Sequence, residues 1–403
     1  MQGNMAAPMR LAAVARSFEC LVRNQQVRPL QRCLQQNVVR NFSNGKTFFK
    51  ASVHGKKILV AGSLAVAGVT LATVVKQRWL PYWQTVQALS STRPEIEPSR
   101  EIRIETDNSG LKLTLFQFQT CPFCCKVRAM LDYYGFSYDL VEVNSVTKKQ
   151  IKWSDYRKVP ILAVEGMGGS GFLQLNDSSV IISILESWRQ DPQQSLEKLK
   201  ECYVCIESEE RGKKIYDFPN KYFIMFMDKS NLPTTPEQRQ EERKWRKWAD
   251  DHLVHMLSPN VYRTPSEAVD AFKYFSEVGE WEKNFSSPER VMVIYVGAMA
   301  MYLLGKMLRK KYKLNEDVRI SLYDACKDWT KAVGKKRSFM GGSQPNLADL
   351  SVYGVLNSIE GCQAFQDARE NSHIGGWYDT MQKVVKSHDG ALPISAAHTL
   401  TKN

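Results

Sequence analysis

The spacing of apolar residues changes character several times between Leu111 and Trp188. Leu113 and Leu115 alternate as a strand does up to Thr120-Cys121-Pro122. There Val127, Met130 and Leu131 take up the spacing of a helix, with Pro122 in its first turn and Gly135 at its stop. Tyr138 to Val143 reads as a second strand, Lys148 to Tyr156 as a short helix, and Val159 to Val164 as a third strand entered through Pro160. Leu173 to Leu175 reads as a fourth strand, after which Asp177-Ser178-Ser179 opens a helix running through Ile181, Ile184 and Leu185 to about Trp188. From about residue 235 the pattern is helical, with amphipathic stretches near 236–257, 289–312, 316–333 and 346–359. Asn346 and Asp349 head the last of these as a capping box. A small α/β domain over 109–192 is therefore expected to feed, through a connecting segment over 193–234, an all-α domain over 235–395.

The N-terminal region has a different pattern. Ile58 to Val75 is an uncharged run fenced by Lys56 and Lys57 before it and Lys76 and Arg78 after it. At 1.5 Å per residue it reaches roughly 27 Å, enough for a bilayer core, so 56–78 is read as a single transmembrane anchor. Residues 1–55 hold Arg10, Arg16, Arg23, Arg28, Arg32 and Arg40 with Leu11, Val14, Phe18 and Leu21 at helical spacing, the composition of a mitochondrial targeting leader. Residues 79–108, with Pro81, Pro94 and Pro98, lack sustained periodicity and read as a tether.

This organisation changes the meaning of the formal charge of +13. Residues 1–80 contain twelve Lys/Arg and one acid, Glu19, whereas the rest balances 43 basic residues against 41 acidic ones. The excess belongs to the extension rather than to a binding face, which argues against a nucleic-acid partner. Nine scattered cysteines do not form the framework of a secreted disulfide-rich protein and suit a reducing compartment.

The chemistry gathers at Cys121-Pro122-Phe123-Cys124. A cysteine between a strand and a helix start meets unpaired backbone N–H groups and the positive end of the helix dipole, both of which favour thiolate. Cys121 is thus the candidate nucleophile or thiol partner of a ligand, and Cys124, one turn later, can resolve a disulfide. A cis Val159–Pro160 bond would free the Val159 backbone for an extended peptide ligand. Asp177 and Ser178, at a helix start, can hold a carboxylate. Cys202-x-x-Cys205 lacks a second ligand pair and does not read as a zinc site.

Cys121 to Cys124, Lys158-Val159-Pro160-Ile161 and Asn176-Asp177-Ser178-Ser179 resemble, in order, the thiol, proline and γ-glutamyl elements of glutaredoxins and glutathione transferases. Thr120–Arg128, Asn176–Ser183, Ser258–Pro265 and Phe339–Leu356 are similar, more narrowly, to the membrane-associated, glutathione-transferase-like prostaglandin E synthases. The resemblance implies a thioredoxin-like domain followed by a glutathione-transferase-like helical domain, and isomerisation of the lipid endoperoxide prostaglandin H2 to prostaglandin E2. It implies Cys121 as the catalytic thiol and glutathione held through Val159, Asp177 and Ser178, with Cys124 beside it. It further implies a haem whose iron is held by the glutathione sulfur, with His252, His255 and Ser258 in the contact region. That form would instead break the endoperoxide into 12-hydroxyheptadecatrienoate and malondialdehyde.

A homodimer and a Golgi membrane, with a soluble cytoplasmic form, are implied in the same way, whereas the basic leader by itself points to the mitochondrion. Phe118 stands where the family can carry a tyrosine, so a mechanism through that hydroxyl is closed to this chain. The competing readings are a glutaredoxin-like thiol-disulfide oxidoreductase, supported by the C-x-x-C pair, and a non-catalytic protein that binds haem and glutathione.

Overall fold

Alternation along β2 (Lys112–Gln117) places Leu113 and Leu115 on one side of a sheet and Phe116 on the other, and both sides are buried. The computed structural model describes residues 96–165, 171–210, 213–225 and 234–391. β2 is the centre of five strands, with β1 (Arg100–Ile102), β3 (Tyr138–Glu142), β4 (Ile161–Glu165) and β5 (Leu173–Asn176) in the order β1-β3-β2-β4-β5. β2 and β3 are parallel and joined by α1 (Pro122–Tyr133), while β4 runs antiparallel to β2 and β5 antiparallel to β4. α2 (Ser178–Gln190) follows β5, which completes the thioredoxin-like arrangement expected from the pattern.

Three features differ from the pattern reading. β1 lies inside the segment read as a tether and pairs antiparallel with the β3 edge, Arg100 opposite Leu140. Three residues with two charges among them give no periodicity to read. The helix expected over 148–156 shrinks to one 3₁₀ turn, Lys149–Ile151. Its Ile151 carbonyl is taken by the Arg157 guanidinium at 2.9 Å, which competes with the backbone amides that would extend the turn. The connecting segment holds α3 (Leu196–Glu201) and a hairpin of β6 (Ile206–Glu210) and β7 (Lys213–Asp217).

The rest of the described chain is helical. α4 (Pro236–Trp248) starts from a Thr235–Gln238 capping box and passes through a π turn, Ala249–Leu253, into α5 (Val254–Val261). α6 (Pro265–Val278) and the short α7 (Trp281–Asn284) precede α8 (Ser287–Met292), a second π turn (Val293–Gly297) and α9 (Ala298–Lys311). α10 (Val318–Val333), α11 (Leu347–Asn357), α12 (Gln363–Asn371) and α13 (Ile374–Lys386) complete it. The expected capping box of α11 is present: Asn346 Oδ1 accepts from Ala348 and Asp349 N–H, and Asp349 accepts the Asn346 N–H at 3.0 Å. Asp349 also accepts from Met340 and Gly341 N–H, tying the preceding loop to the helix.

Helix α1, which carries the C-x-x-C turn, is pressed between the sheet and α11. Gly354 of α11 permits the contact, because a Cβ there would lie 2.5 Å from Lys126 Cα and 2.6 Å from Lys126 N. These are backbone atoms and cannot swing aside. Gly354→Ala is therefore expected to destabilise the protein by about 1–3 kcal/mol through overpacking. Chemical denaturation checks this, and an unchanged midpoint would mean that the helices separate freely.

Among the described residues one helical stretch, Ser287–Lys311, is long and apolar enough to cross a membrane by length and composition. The leader and the anchor read over 56–78 lie outside the described residues.

Candidate functional site

Cys121 occupies the N-cap of α1 with extended backbone angles, and Pro122 takes the first helical position, where its missing N–H costs no hydrogen bond. The preceding turn is closed by Cys121 N–H to Phe118 O at 3.0 Å. Cys121 is buried beside Phe116, Val141, Val159 and Ile161. Its thiol nevertheless titrates below the ordinary range. The largest cause is the hydrogen bond from Cys124; backbone N–H groups of Cys124 and Phe123 and the charge of Arg128 act in the same direction against the cost of burial. Burial, and then donation of its proton toward Cys121, push Cys124 well upward, while the Phe118 backbone N–H reaches the Cys124 sulfur. Cys125 points away: burial raises it to about 11, and it donates to Gln119 O at 3.4 Å.

Behind the turn lies a polar network that sequence reasoning missed. Glu142, at the end of β3, accepts the Gln119 backbone N–H at 2.8 Å and the Gln117 amide at 3.1 Å. Arg128 bonds Gln117 Oε1 and donates to Gln119 O at 2.8 Å, while Arg100 of β1 donates to Gln119 Oε1 at 2.5 Å. Burial pushes the Glu142 carboxyl up to about 7. The available signal was a polar or charged residue closing each of two adjacent parallel strands, Gln117 and Glu142.

Cys121 and Val159 open onto a cavity of about 160 Å³ between this turn and the helical part, and Ser258 lies on its far wall. Glu142, Lys148 and Lys158 contribute polar lining, while Val254, Leu257, Val261, Phe272, Phe275 and Met301 make most of the rest apolar. The Val159–Pro160 peptide is cis.

Asp177 and Ser178 do not line this cavity. Asp177 caps α2, accepting from Ser179 N–H at 2.9 Å, and Lys221 lies 3.5 Å from its other oxygen. Its φ of 67° is uncommon for a residue with a side chain, and such strained positions concentrate at ligand clamps. His252 and His255 also lie off the cavity. His252 is exposed beside Trp248, and the His255 ring stacks on Tyr312 at 4.1 Å. Of the three residues read as a haem-contact region only Ser258 reaches the cavity, so this donor set does not converge on a haem.

A second cluster ties the site to the helical part. Lys126, one residue beyond Cys125 and fully buried, reaches Ser179 Oγ at 3.1 Å and pairs with Asp250 of the first π turn. Asp250 also accepts from the Ser179 hydroxyl at 2.7 Å and the Tyr222 hydroxyl at 3.0 Å.

Comparison with known proteins gives consistent results. A model of the glutathione S-transferase N-terminal domain matches residues 115–193. The chain is 48% identical over 282 residues to prostaglandin E synthase 2 of Danio rerio, covering 69% of this chain and 72% of that relative. It is 42% identical over 391 residues to prostaglandin E synthase 2 of Mus musculus, covering 95% of this chain and 96% of that relative.

Proposed function

Because the chain belongs to the prostaglandin E synthase 2 family, we propose that it isomerises prostaglandin H2 to prostaglandin E2 at Cys121. The observation that carries this reading is a thiol held toward its thiolate on the wall of an apolar cavity that both parts of the molecule share. A lipid endoperoxide fits apolar walls, and exclusion of water strengthens the hydrogen bonds and charge interactions that hold the thiolate.

The reaction is redox-neutral. The Cys121 thiolate takes the hydrogen from the ring carbon bearing one peroxide oxygen, and the freed electron pair forms the carbonyl as the O–O bond breaks. The second oxygen leaves with that bonding pair and recovers the proton as a hydroxyl. Cys124, by donating to Cys121, holds the thiolate between turnovers, and Glu142 positions the turn through Gln119.

Asp177 and Ser178 lie off the cavity, so glutathione with its sulfur near Cys121 would reach past Val159 to the start of α2. The Val159 backbone can pair with its peptide, the start of α2 with the γ-glutamyl carboxylate, and the Asp177 carboxylate with its ammonium group. When bound it supplies a second thiol near Cys121. The histidines do not gather at the cavity, and no step is routed through haem.

The hydrogen bond between Cys124 and Cys121 also favours a second reading, glutaredoxin-like disulfide exchange. Product analysis after mixing the protein with prostaglandin H2 separates the two. Prostaglandin E2 formed without oxidation of glutathione supports the isomerase, and rapid disulfide reduction without prostaglandin E2 supports exchange.

A further inference from the structure

The helical stretch from Ser287 to Lys311 has two apolar faces. Val293 and Met301 are buried and line the catalytic cavity. The outward face carries Val291, Tyr295, Met299, Leu303 and Met307, each half or more exposed, at a spacing of four residues. With Val296 these make up six of the ten large exposed apolar side chains among the described residues, so the exposure is concentrated on one element. At 1.5 Å per residue the stripe runs for roughly 24 Å. Scattered apolar residues are ordinary on a surface, but a continuous stripe marks an interaction face.

We propose that this face lies in the headgroup layer of an anionic bilayer, so that one helix both walls the cavity and rests on the membrane. The stretch cannot leave the molecule to span the bilayer, because Val293, Ala298, Met301 and Leu308 are held in the interior. An apolar stripe with a basic end is the pattern of a helix lying on a membrane rather than crossing it. Lys306, Lys310, Lys311 and Lys313 are exposed at its C-terminal end, and no acid occurs between Glu289 and Glu316. Anionic headgroups complement that charge.

The chain outside the described residues points to the same occupant. Twenty residues separate Val75, the end of the uncharged run, from Ile96. An anchor ending there would keep the catalytic part within roughly 70 Å of the bilayer, the fully extended reach of those residues. The proposal goes beyond the isomerase reading and does not depend on it.

The test uses the full chain in phosphatidylcholine vesicles containing about a third phosphatidylserine, with photoreactive benzoylphenylalanine in place of Leu303 or, as a control, of the exposed Lys331. Irradiation followed by mass spectrometry should give at least ten-fold more lipid adduct at position 303 than at 331. Adding Lys306→Glu and Lys310→Glu should lower the yield several-fold. Equal lipid yields at the two positions, or adducts at 303 to a second copy of the chain in place of lipid, would overturn the proposal. Product formation is not read, so either result leaves the isomerase reading to its own test.

Discussion

Replacing Lys126 with methionine is expected to lower unfolding free energy by about 3–5 kcal/mol, the usual cost of removing one partner from a buried ion pair. Methionine fills the space of the lysine stem, so the loss reports charge rather than volume. Asp250 would be left buried with the hydroxyls of Ser179 and Tyr222 and the charge of nearby Lys221. The native pair and its hydrogen bonds hold the Asp250 carboxyl below its ordinary 3.8 despite burial. A carboxyl depressed in the folded state contributes stability that is present above its unfolded value and is lost as pH falls toward the folded one. The difference between wild type and Lys126→Met should accordingly be largest near neutral pH and narrow in acid, where the stranded carboxyl of the variant is protonated. The double variant Lys126→Met/Asp250→Leu should recover much of the loss, since it leaves no uncompensated charge. Equilibrium unfolding at pH 7 and pH 4 measures all three. A loss under 1 kcal/mol that does not change with pH would show the pair to be dispensable.

This pair also marks where sequence reading stops. The strands β2 to β5 and the helices α1 and α2 were legible because each has its own period and a turn signal at its edge: Pro122 and Gly135 around α1, Pro160 before β4, Asp177 before α2. Cys121 was legible for the same local reason, since the strand-to-helix junction that activates it is written in adjacent residues. Val159 and Ser258 also reach the cavity, but from opposite sides of a space no local pattern describes. Lys126 and Asp250 stand 124 positions apart and meet only because α1 and the π turn both pack against α11. Glu142 looked like the end of a strand until the sheet set it under Gln119. The histidines differ in the opposite direction. The resemblance placed both in a haem-contact region, but one is exposed beside Trp248 and the other lies against Tyr312.

Changing Cys121 to serine is expected to reduce prostaglandin E2 formation at least 100-fold, because a serine hydroxyl in the same place stays protonated near neutral pH. The fold should survive, since the replacement is nearly isosteric and Cys121 makes no covalent cross-link. Cys124 acts through Cys121, so its removal should have a smaller and different effect. Without the Cys124 donor the Cys121 thiol moves upward, and Cys124→Ala should lose rate at pH 7 and regain much of it as pH rises. Cys124→Ser keeps a donor and should stay closer to wild type. Dithiol exchange would require both cysteines at every pH, because the second must resolve a mixed disulfide. The deciding measurement is the initial rate of prostaglandin E2 formation from prostaglandin H2 by wild type, Cys121→Ser and Cys124→Ala between pH 6 and 9. The isomerase account predicts near-complete loss in the first variant and an alkaline-shifted, largely recoverable profile in the second; a Cys121→Ser protein that is folded and as fast as wild type would contradict it.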